Sequence, residues 1–377
     1  MDPHDNEADT ATLEREALGR IIHAFSEYKH TADLDLMIKG RDFSRLKQAH
    51  KDLLPHFHAH LRQASQGVQH NHIFLRSMLT QLLEEGPNSS PFLPGALSAA
   101  EEYAAGVNGR VLPQDVEKVR YVLKNLMRDW SEEGAAERAA SYGRIMQEVE
   151  SIASRQAPGQ VPLSILVPGA GLGRLCADLC SMGHHVLGNE FSFYMLLASA
   201  YVLNHSARLH QWTVHPWLHS GCNHFTSASQ LRGLAIPDVL PEDLTAPGEL
   251  GMVAGDFVEV FARPEYQAVF DVVATCFFID TAHNVIDYLE TIVAVLKPGG
   301  SWVNLGPLLY HWAEPQEGPD EPNIELSLEE IEAVAGQLGL VMQRRDVVKA
   351  PFASNRQSMF ESTYTCSFWT MTKGPGS

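Results

Sequence analysis

Residues 161–192 read VPLSILVPGAGLGRLCADLCSMGHHVLGNEFS. Leu163 to Val167 is a short apolar run rich in branched residues, which suits a buried parallel strand. Pro168-Gly169-Ala170-Gly171-Leu172-Gly173 then turns the chain. Leu172, Leu175, Cys176 and Leu179 follow at helical spacing, and His185 to Glu190 is a second short strand that ends in an acid. Strand, glycine turn, helix, strand and acid make the first βαβ unit of a nucleotide-binding sheet. Glycines allow a sharp turn and let a ligand approach the main chain without a Cβ in the way. Glu190 lies about 20 residues beyond the turn, where an acid accepts both hydroxyls of a ribose. The glycine spacing is GxGxG rather than the dinucleotide GxGxxG, and no lysine and serine follow as in a P-loop. The bland alternative is a tight strand–helix junction that holds no ligand.

Downstream, the pattern alternates. Phe193 to Leu203 reads as a helix carrying Tyr194, Leu197, Ala198 and Tyr201. Residues 205–248 are irregular, and their apolar content (Trp212, Trp217, Phe225) favours a packed insertion at about 205–250 over a poorly ordered loop. Met252 to Ala254 is a short strand ending at Gly255-Asp256-Phe257. Phe270 to Phe278 is a continuous apolar strand leading to Asp280. Val285 to Leu296 is a helix closed by Lys297-Pro298-Gly299-Gly300, and Ser301 to Leu305 is a strand leading to Leu309-Tyr310-His311. Ser327 opens an amphipathic helix as far as Leu338, with Glu330 completing a capping box. Val341–Val348 and Tyr364–Met371 are expected to pair as an antiparallel edge. The fold class is therefore α/β, an open, mostly parallel, Rossmann-like sheet with helices on both faces. Ligands in such sheets bind beyond the carboxyl ends of the strands. Five stretches should converge there: Gly169 to Gly173, Glu190, Asp256-Phe257, Cys276 to Asp280, and Pro307 to His311.

Upstream, the first 155 residues are expected to form a helical region that helps cover the site, ahead of a sheet domain at 156–373. Residues 1–12 are polar and read as disordered. From Thr12 a helix buries Leu18, Ile21, Ile22 and Phe25. Residues 42–85 read as two more helices, with Leu46, Leu53 and Leu54 and then Phe74, Leu75, Met78, Leu79 and Leu82 as core positions. His56, His58, His60, His70 and His72 lie among them. No HExxH or acid completes a metal site there, so they read as surface and packing residues. Residues 86–98 form a Pro/Gly/Ser loop. A helix at about 114–130 presents Val116, Val119, Leu123, Leu126 and Met127 to a core. Asn125 and Arg128 are i,i+3 neighbours on it, and an arginine near a ligand meets a carboxylate with a two-pronged hydrogen bond. A surface charge is the equal alternative. Residues 132–154 continue as helix, with Glu137, Arg138 and Arg144 on polar faces.

Composition narrows the class of partner. The chain has 377 residues, 45% of them hydrophobic, and a formal net charge of −18. No basic run offers a nucleic-acid face, and no stretch approaches the roughly 20 apolar residues of a membrane span. The five cysteines (Cys176, Cys180, Cys222, Cys276, Cys366) are odd in number and follow no signal peptide. They read as reduced thiols of a cytoplasmic or nuclear protein. Residues 374–377, GPGS, read as a disordered tail.

Two acids at strand ends suit an adenosine ligand: Glu190 for the ribose, Asp256 for the adenine amino group, with Phe257 covering the ring. The GxGxG spacing and the LKPGG turn fit a methyltransferase using S-adenosylmethionine better than a dehydrogenase. LVPGAGLGRL (166–175), GNEFSF (188–193), ATCFFIDTAHNVIDYLETI (274–292) and LKPGGSWVNLGPLLYH (296–311) resemble the carnosine N-methyltransferase family. VLKNLMRDWSEEGAAER (122–138) resembles its helical region, and the likeness runs from about residue 13 to 372. The resemblance implies methyl transfer from S-adenosylmethionine to an imidazole nitrogen of carnosine, giving anserine. It places cofactor contacts at Asn125, Arg128, Gly169, Gly171, Gly173, Glu190, Asp256, Phe257 and Val272. It places catalytic and substrate contacts at Asp280, His311 and Tyr364, with no metal.

The chain departs from the family pattern at Asn125, where a glutamine is expected, and over 350–363, which matches poorly. Val167-Pro168 before the first glycine, where many class I enzymes carry an acid, is shared with the family. From the residues alone, Asp280 reads equally as a helix N-cap, and His311 and Tyr364 as core. The partner implied is a small histidine-containing peptide, with a homodimer as a compatible assembly. A protein-histidine methyltransferase and a non-catalytic S-adenosylmethionine-binding module are the competing readings.

Overall fold

Ser164–Pro168 forms β1, at the centre of a seven-stranded sheet in a computed structural model of the chain. The model describes residues 3–84, 96–156, 162–246, 248–313 and 322–374, and only the backbone of 3–11, 13 and 84. The other strands are β2 (His185–Glu190), β3 (Glu249–Ala254), β4 (Phe270–Cys276), β5 (Leu296–Gly306), β6 (Leu340–Pro351) and β7 (Thr363–Lys373). They lie in the order β3-β2-β1-β4-β5-β7-β6. The first five are parallel, and β7 runs antiparallel to β5 and β6, so the expected late antiparallel pair is present. The order reverses on either side of β1, which makes the end of β1 a topological switch point.

Strand alternation assigns each residue to a face. Ile165 and Val167 of β1, Val272 and Ala274 of β4, and Val303 and Leu305 of β5 pack under the helices Tyr142–Ser154 and Arg174–Ser181, through Ile145, Val149, Leu175 and Leu179. Leu166, Val273, Trp302 and Trp369 point the other way, against the helices Phe257–Phe261, Val285–Val295 and Leu328–Gln337. Both faces are covered, as continuous apolar strands require. Ser327 caps the last of these helices by accepting from the Glu330 amide while Glu330 accepts from the Ser327 amide, the capping box read in the sequence.

The sheet belongs to one of two compact units, formed by Gly134–Ser192, Val239–Ser354 and Ser362–Ser377. The second comprises Met1–Glu133, Phe193–Asp238 and Asn355–Glu361. This partition differs from a division at residue 155. The helix Tyr142–Ser154 belongs with the sheet because Ile145, Val149 and Ile152 form its cover.

The second unit is mostly helical. The helix Pro3–Ser26 already includes residues 3–12, where disorder was expected. Arg20 reaches from it to Asp115 of the helix Pro113–Trp130 through two hydrogen bonds of 2.7 and 2.8 Å. Between the helices Tyr28–Ser44 and Phe57–Glu84 only a short helix, Gln48–Asp52, forms. Leu46, Leu53 and Leu54 lie around that break and are exposed, Leu53 by 78%, which corrects their placement in a core. The insertion is packed: Val214, Trp217 and Leu218 are buried, and Trp212–Val214 pairs antiparallel with Leu234–Ile236. Hydrogen bonds tie it down. The His215 amide donates to Asn71 Oδ1 at 2.7 Å, and the rings of His70 and His215 share a 2.9 Å bond. Asn71 also donates to the Tyr28 hydroxyl, which meets His219 at 2.8 Å. Residues 86–95 of the expected loop and 375–377 of the expected tail lie outside the described residues.

Candidate active site at the carboxyl ends of the strands

The turn after β1 places three glycines in the left-handed region, with φ of +65° at Gly169, +56° at Gly171 and +78° at Gly173. Gly169 is also fixed by contact, since a Cβ there would lie 2.6 Å from Cδ2 of Phe278. That ring cannot easily retreat, because it is stacked on Tyr288 (centroids 4.7 Å apart, planes 11°) and meets Phe257 edge-on. Gly169→Ala is therefore expected to cost about 2–5 kcal/mol, the sum of a left-handed alanine and an overpacked core. Urea unfolding would measure it, and a loss below about 1 kcal/mol would mean that the turn relaxes freely.

Glu190, at the end of β2, folds back onto this turn. Its Oε2 accepts from the Gly171 amide and its Oε1 from the Ser192 amide, both at 2.8 Å. Glu190 thereby fastens the glycine turn to the end of β2. Asp256, after β3, caps the helix Phe257–Phe261: its Oδ1 accepts from the amides of Val258 and Glu259 at 2.8 and 3.0 Å. Its Oδ2 meets no protein donor among the described residues. Asp256 and Glu190 both act electrostatically on Tyr288, which places the two acids around one region. Burial is the larger influence and, with the acids, pushes the Tyr288 hydroxyl up to about 12.

Asp280 lies in the turn Ile279–Thr281 and is 4% exposed. The N-cap alternative does not hold, because the helix Val285–Val295 is capped by Asn284. Asp280 instead fastens the loop after β5: its Oδ2 accepts from the Leu309 amide at 2.9 Å, and its carbonyl accepts from the His311 amide at 3.0 Å. Burial raises its pKa, against the pull of those donors and of the nearby His311. His311 is exposed rather than core, and it sits beside Trp312, whose ring stacks on His283 at 3.9 Å. Tyr364, the second residue of β7, is half-buried with its ring 5.8 Å from that of Phe277. Asp280 also acts on Cys366, two residues along β7 from Tyr364, whose thiol is pushed up to about 12 mainly by burial.

Four of the expected cofactor contacts have protein partners of their own. Phe257 is 2% exposed, its ring enclosed by Phe261, Phe278 and Tyr288, so it offers no open face to cover an adenine. Val272 lies near the entry end of β4, paired with Ile165 and buried in the core. Four residues, about 13 Å, separate it from the carboxyl end at Cys276. Asn125 and Arg128 belong to the helical unit, on the helix Pro113–Trp130. The Asn125 amide donates to the Tyr121 carbonyl of its own helix at 2.9 Å. The two-pronged bond expected of Arg128 is made to its neighbour Asp129, at 2.7 and 2.9 Å. Glu137 and Arg138, read as lying on polar helix faces, are buried. Glu137 accepts from the Ala353 and Ser354 amides and so anchors the end of β6.

One aromatic residue escaped the sequence reading. Phe191, directly after Glu190, is 71% exposed at the edge of the glycine turn; a large apolar residue following a strand-end acid was its signal. Phe277 lies in the stretch Cys276 to Asp280 read as part of the site, but which of the two adjacent phenylalanines turns to which side depends on the backbone.

The family model of carnosine N-methyltransferase matches residues 107–375. The carnosine N-methyltransferase of Mus musculus is 37% identical over 97% of this chain and 88% of its own length. The chain belongs to the carnosine N-methyltransferase family. The Schizosaccharomyces pombe enzyme of that name is 34% identical over 94% of this chain and 95% of its own. "Carnosine N-methyltransferase unmet" of Drosophila melanogaster is 39% identical over 70% of this chain and 57% of its own. This family member is a methyltransferase that uses S-adenosylmethionine, built on the Rossmann-like class I sheet. The strand ends fit that cofactor: three left-handed glycines open the main chain, and Asp256 Oδ2 meets no protein donor among the described residues.

Proposed function

We propose that the protein methylates an imidazole nitrogen of carnosine, or of a closely related small histidine-containing peptide, giving anserine from carnosine. The observation that carries this reading is Asp280, a buried carboxylate at the end of β4 whose Oδ2 is occupied by the Leu309 amide. Its Oδ1 takes no hydrogen bond from another residue among the described residues and is available to one N–H of a ring.

S-adenosylmethionine, when bound, supplies a methyl group on a sulfonium, an electrophile that needs no metal. Glu190 holds the ribose, and Asp256 offers Oδ2 to the adenine amino group. Asp280 accepts from the imidazole nitrogen that carries the proton, which fixes the tautomer and leaves the lone pair of the other nitrogen pointing at the methyl group. A neutral imidazole is already nucleophilic near pH 7, so orientation rather than strong base catalysis supplies the rate. After transfer the ring is cationic, and the carboxylate of Asp280 stabilises that charge or takes the proton. His311 and Tyr364 hold the remainder of the peptide. The five free cysteines support a reducing setting, cytoplasm or nucleus.

The deciding experiment is methyl transfer from labelled S-adenosylmethionine to carnosine, to histidine-containing peptides and to a histidine-bearing protein, with the product mapped by mass spectrometry. Ring-methylated carnosine is the expected product. Label only in the protein acceptor would replace this reading with a protein-histidine methyltransferase, and binding without transfer would leave a non-catalytic module.

A further inference from the structure

The sheet bonding of β4 runs one residue past the strand: the Phe277 amide donates to the Leu305 carbonyl at 2.8 Å. There the backbone turns left-handed, with φ of +53°. A bulky residue seldom adopts this conformation, and where it persists the surroundings hold it there. Part of that surrounding is Gly306 on β5, since a Cβ at 306 would come within 3.3 Å of both N and Cα of Phe277. The turn separates two adjacent rings. Phe278 goes to Gly169 and Tyr288, beneath the glycine turn. Phe277 goes to the opposite side, where its ring lies 4.7 Å from that of Phe352 and 5.8 Å from that of Tyr364.

This second side is where the acceptor groups meet. Tyr364 and Cys366 are two apart on β7 and share a face, and Cys366 responds to the charge of Asp280. Phe277 is half-buried. Phe352 follows directly on the end of β6, and the two amides after it are held by Glu137, so the wall does not rest on a loose loop.

The geometry points to Phe277, backed by Phe352, as the flat wall against which the acceptor ring lies, and thus as a residue that selects a planar heteroaromatic acceptor over an aliphatic amine. This inference rests on the proposed imidazole methylation and deepens it. A ring face attracts a parallel or edge-on ring and fixes its plane, while Asp280 fixes its rotation within that plane. Carnosine carries both an imidazole and an aliphatic amine, and the wall accounts for methylation at the ring.

The test compares wild type, Phe277→Leu and Phe277→Tyr with carnosine as acceptor, alongside calorimetry of S-adenosylmethionine binding. Phe277→Leu keeps the bulk and loses the ring. It is expected to raise the KM for carnosine by about 3–10-fold, with S-adenosylmethionine affinity unchanged, and Phe277→Tyr to restore it. An unchanged KM, or a fall in kcat alone, in a leucine variant that binds the cofactor normally overturns the inference while leaving the proposed function intact. If wild type fails to methylate carnosine, both fall. Should Phe277→Leu not bind the cofactor, Phe352→Leu, one shell behind the wall, is read by the same criteria.

Discussion

Asp280→Asn is expected to melt at a higher temperature than wild type and to transfer methyl groups at least about a hundredfold more slowly. The two effects share one cause. Asp280 is a buried carboxyl whose pKa is raised by desolvation. A group whose folded pKa lies above its unfolded value contributes stability that is fully present below the unfolded pKa. That contribution is lost as the pH rises through the folded pKa. Above its folded pKa the ionised carboxylate is therefore a net cost to the fold. Asparagine removes the charge and still offers an oxygen to the Leu309 amide. Each kcal/mol recovered should raise Tm by about 1–2 °C in a chain of 377 residues. The catalytic loss follows because the amide nitrogen now faces the imidazole N–H, donor against donor, and the productive tautomer is no longer held. Scanning calorimetry at neutral and acid pH checks the first half: the Tm difference should shrink as the wild-type carboxyl becomes protonated. Turnover near the wild-type rate would remove Asp280 from the acceptor site.

The parts of this site that were legible in the sequence are those where a residue's type dictates its backbone. The glycine turn, the acid ending β2 and the Ser327 capping box are local, and each sits where the sequence places it. Face assignments within β1 and β4 also follow directly from a period of two. What could not be read was the competition for a side chain. Arg128 offers a fork suited to a carboxylate, and Asp129 next to it accepts two of its hydrogen bonds. Phe257 follows an acid at a strand end, as an adenine-covering ring should, yet its helix turns it into an aromatic cluster with Phe278 and Tyr288 from later in the chain. The place of Val272 along β4 is set by pairing with Ile165, which no local pattern states. The core leucines expected around position 50 depended on one continuous helix, and the chain breaks there.

For Glu190→Gln the expected result is a fall of about 10–100-fold in S-adenosylmethionine affinity, with kcat at saturating cofactor changed little. Both carboxylate oxygens already accept a backbone amide, one from Gly171 and one from Ser192, at 2.8 Å. Glutamine supplies a single acceptor oxygen. Whichever way its amide is turned, an NH2 group confronts one of those two N–H donors, and a partly buried donor loses its partner. Such a loss costs about 1–3 kcal/mol, and the remaining bond loses the strengthening that a charged acceptor gives. The damage falls on the glycine turn, because Gly171 is held at φ +56° and its amide is fixed to β2 by Glu190. The ribose hydroxyls lose one acceptor at the same time. None of this touches Asp280 or the approach of the imidazole ring, so the cost is uniform across ground and transition states and appears in KM for the cofactor. Glu190→Asp separates the contributions. It keeps the charge but is one methylene shorter, so it is expected to hold one amide and lose the other, with an affinity between those of wild type and glutamine. Calorimetric titration of all three proteins gives the order directly. Equal affinity in wild type and Glu190→Gln would show that the carboxylate only fastens the turn to β2 and has no part in binding the methyl donor.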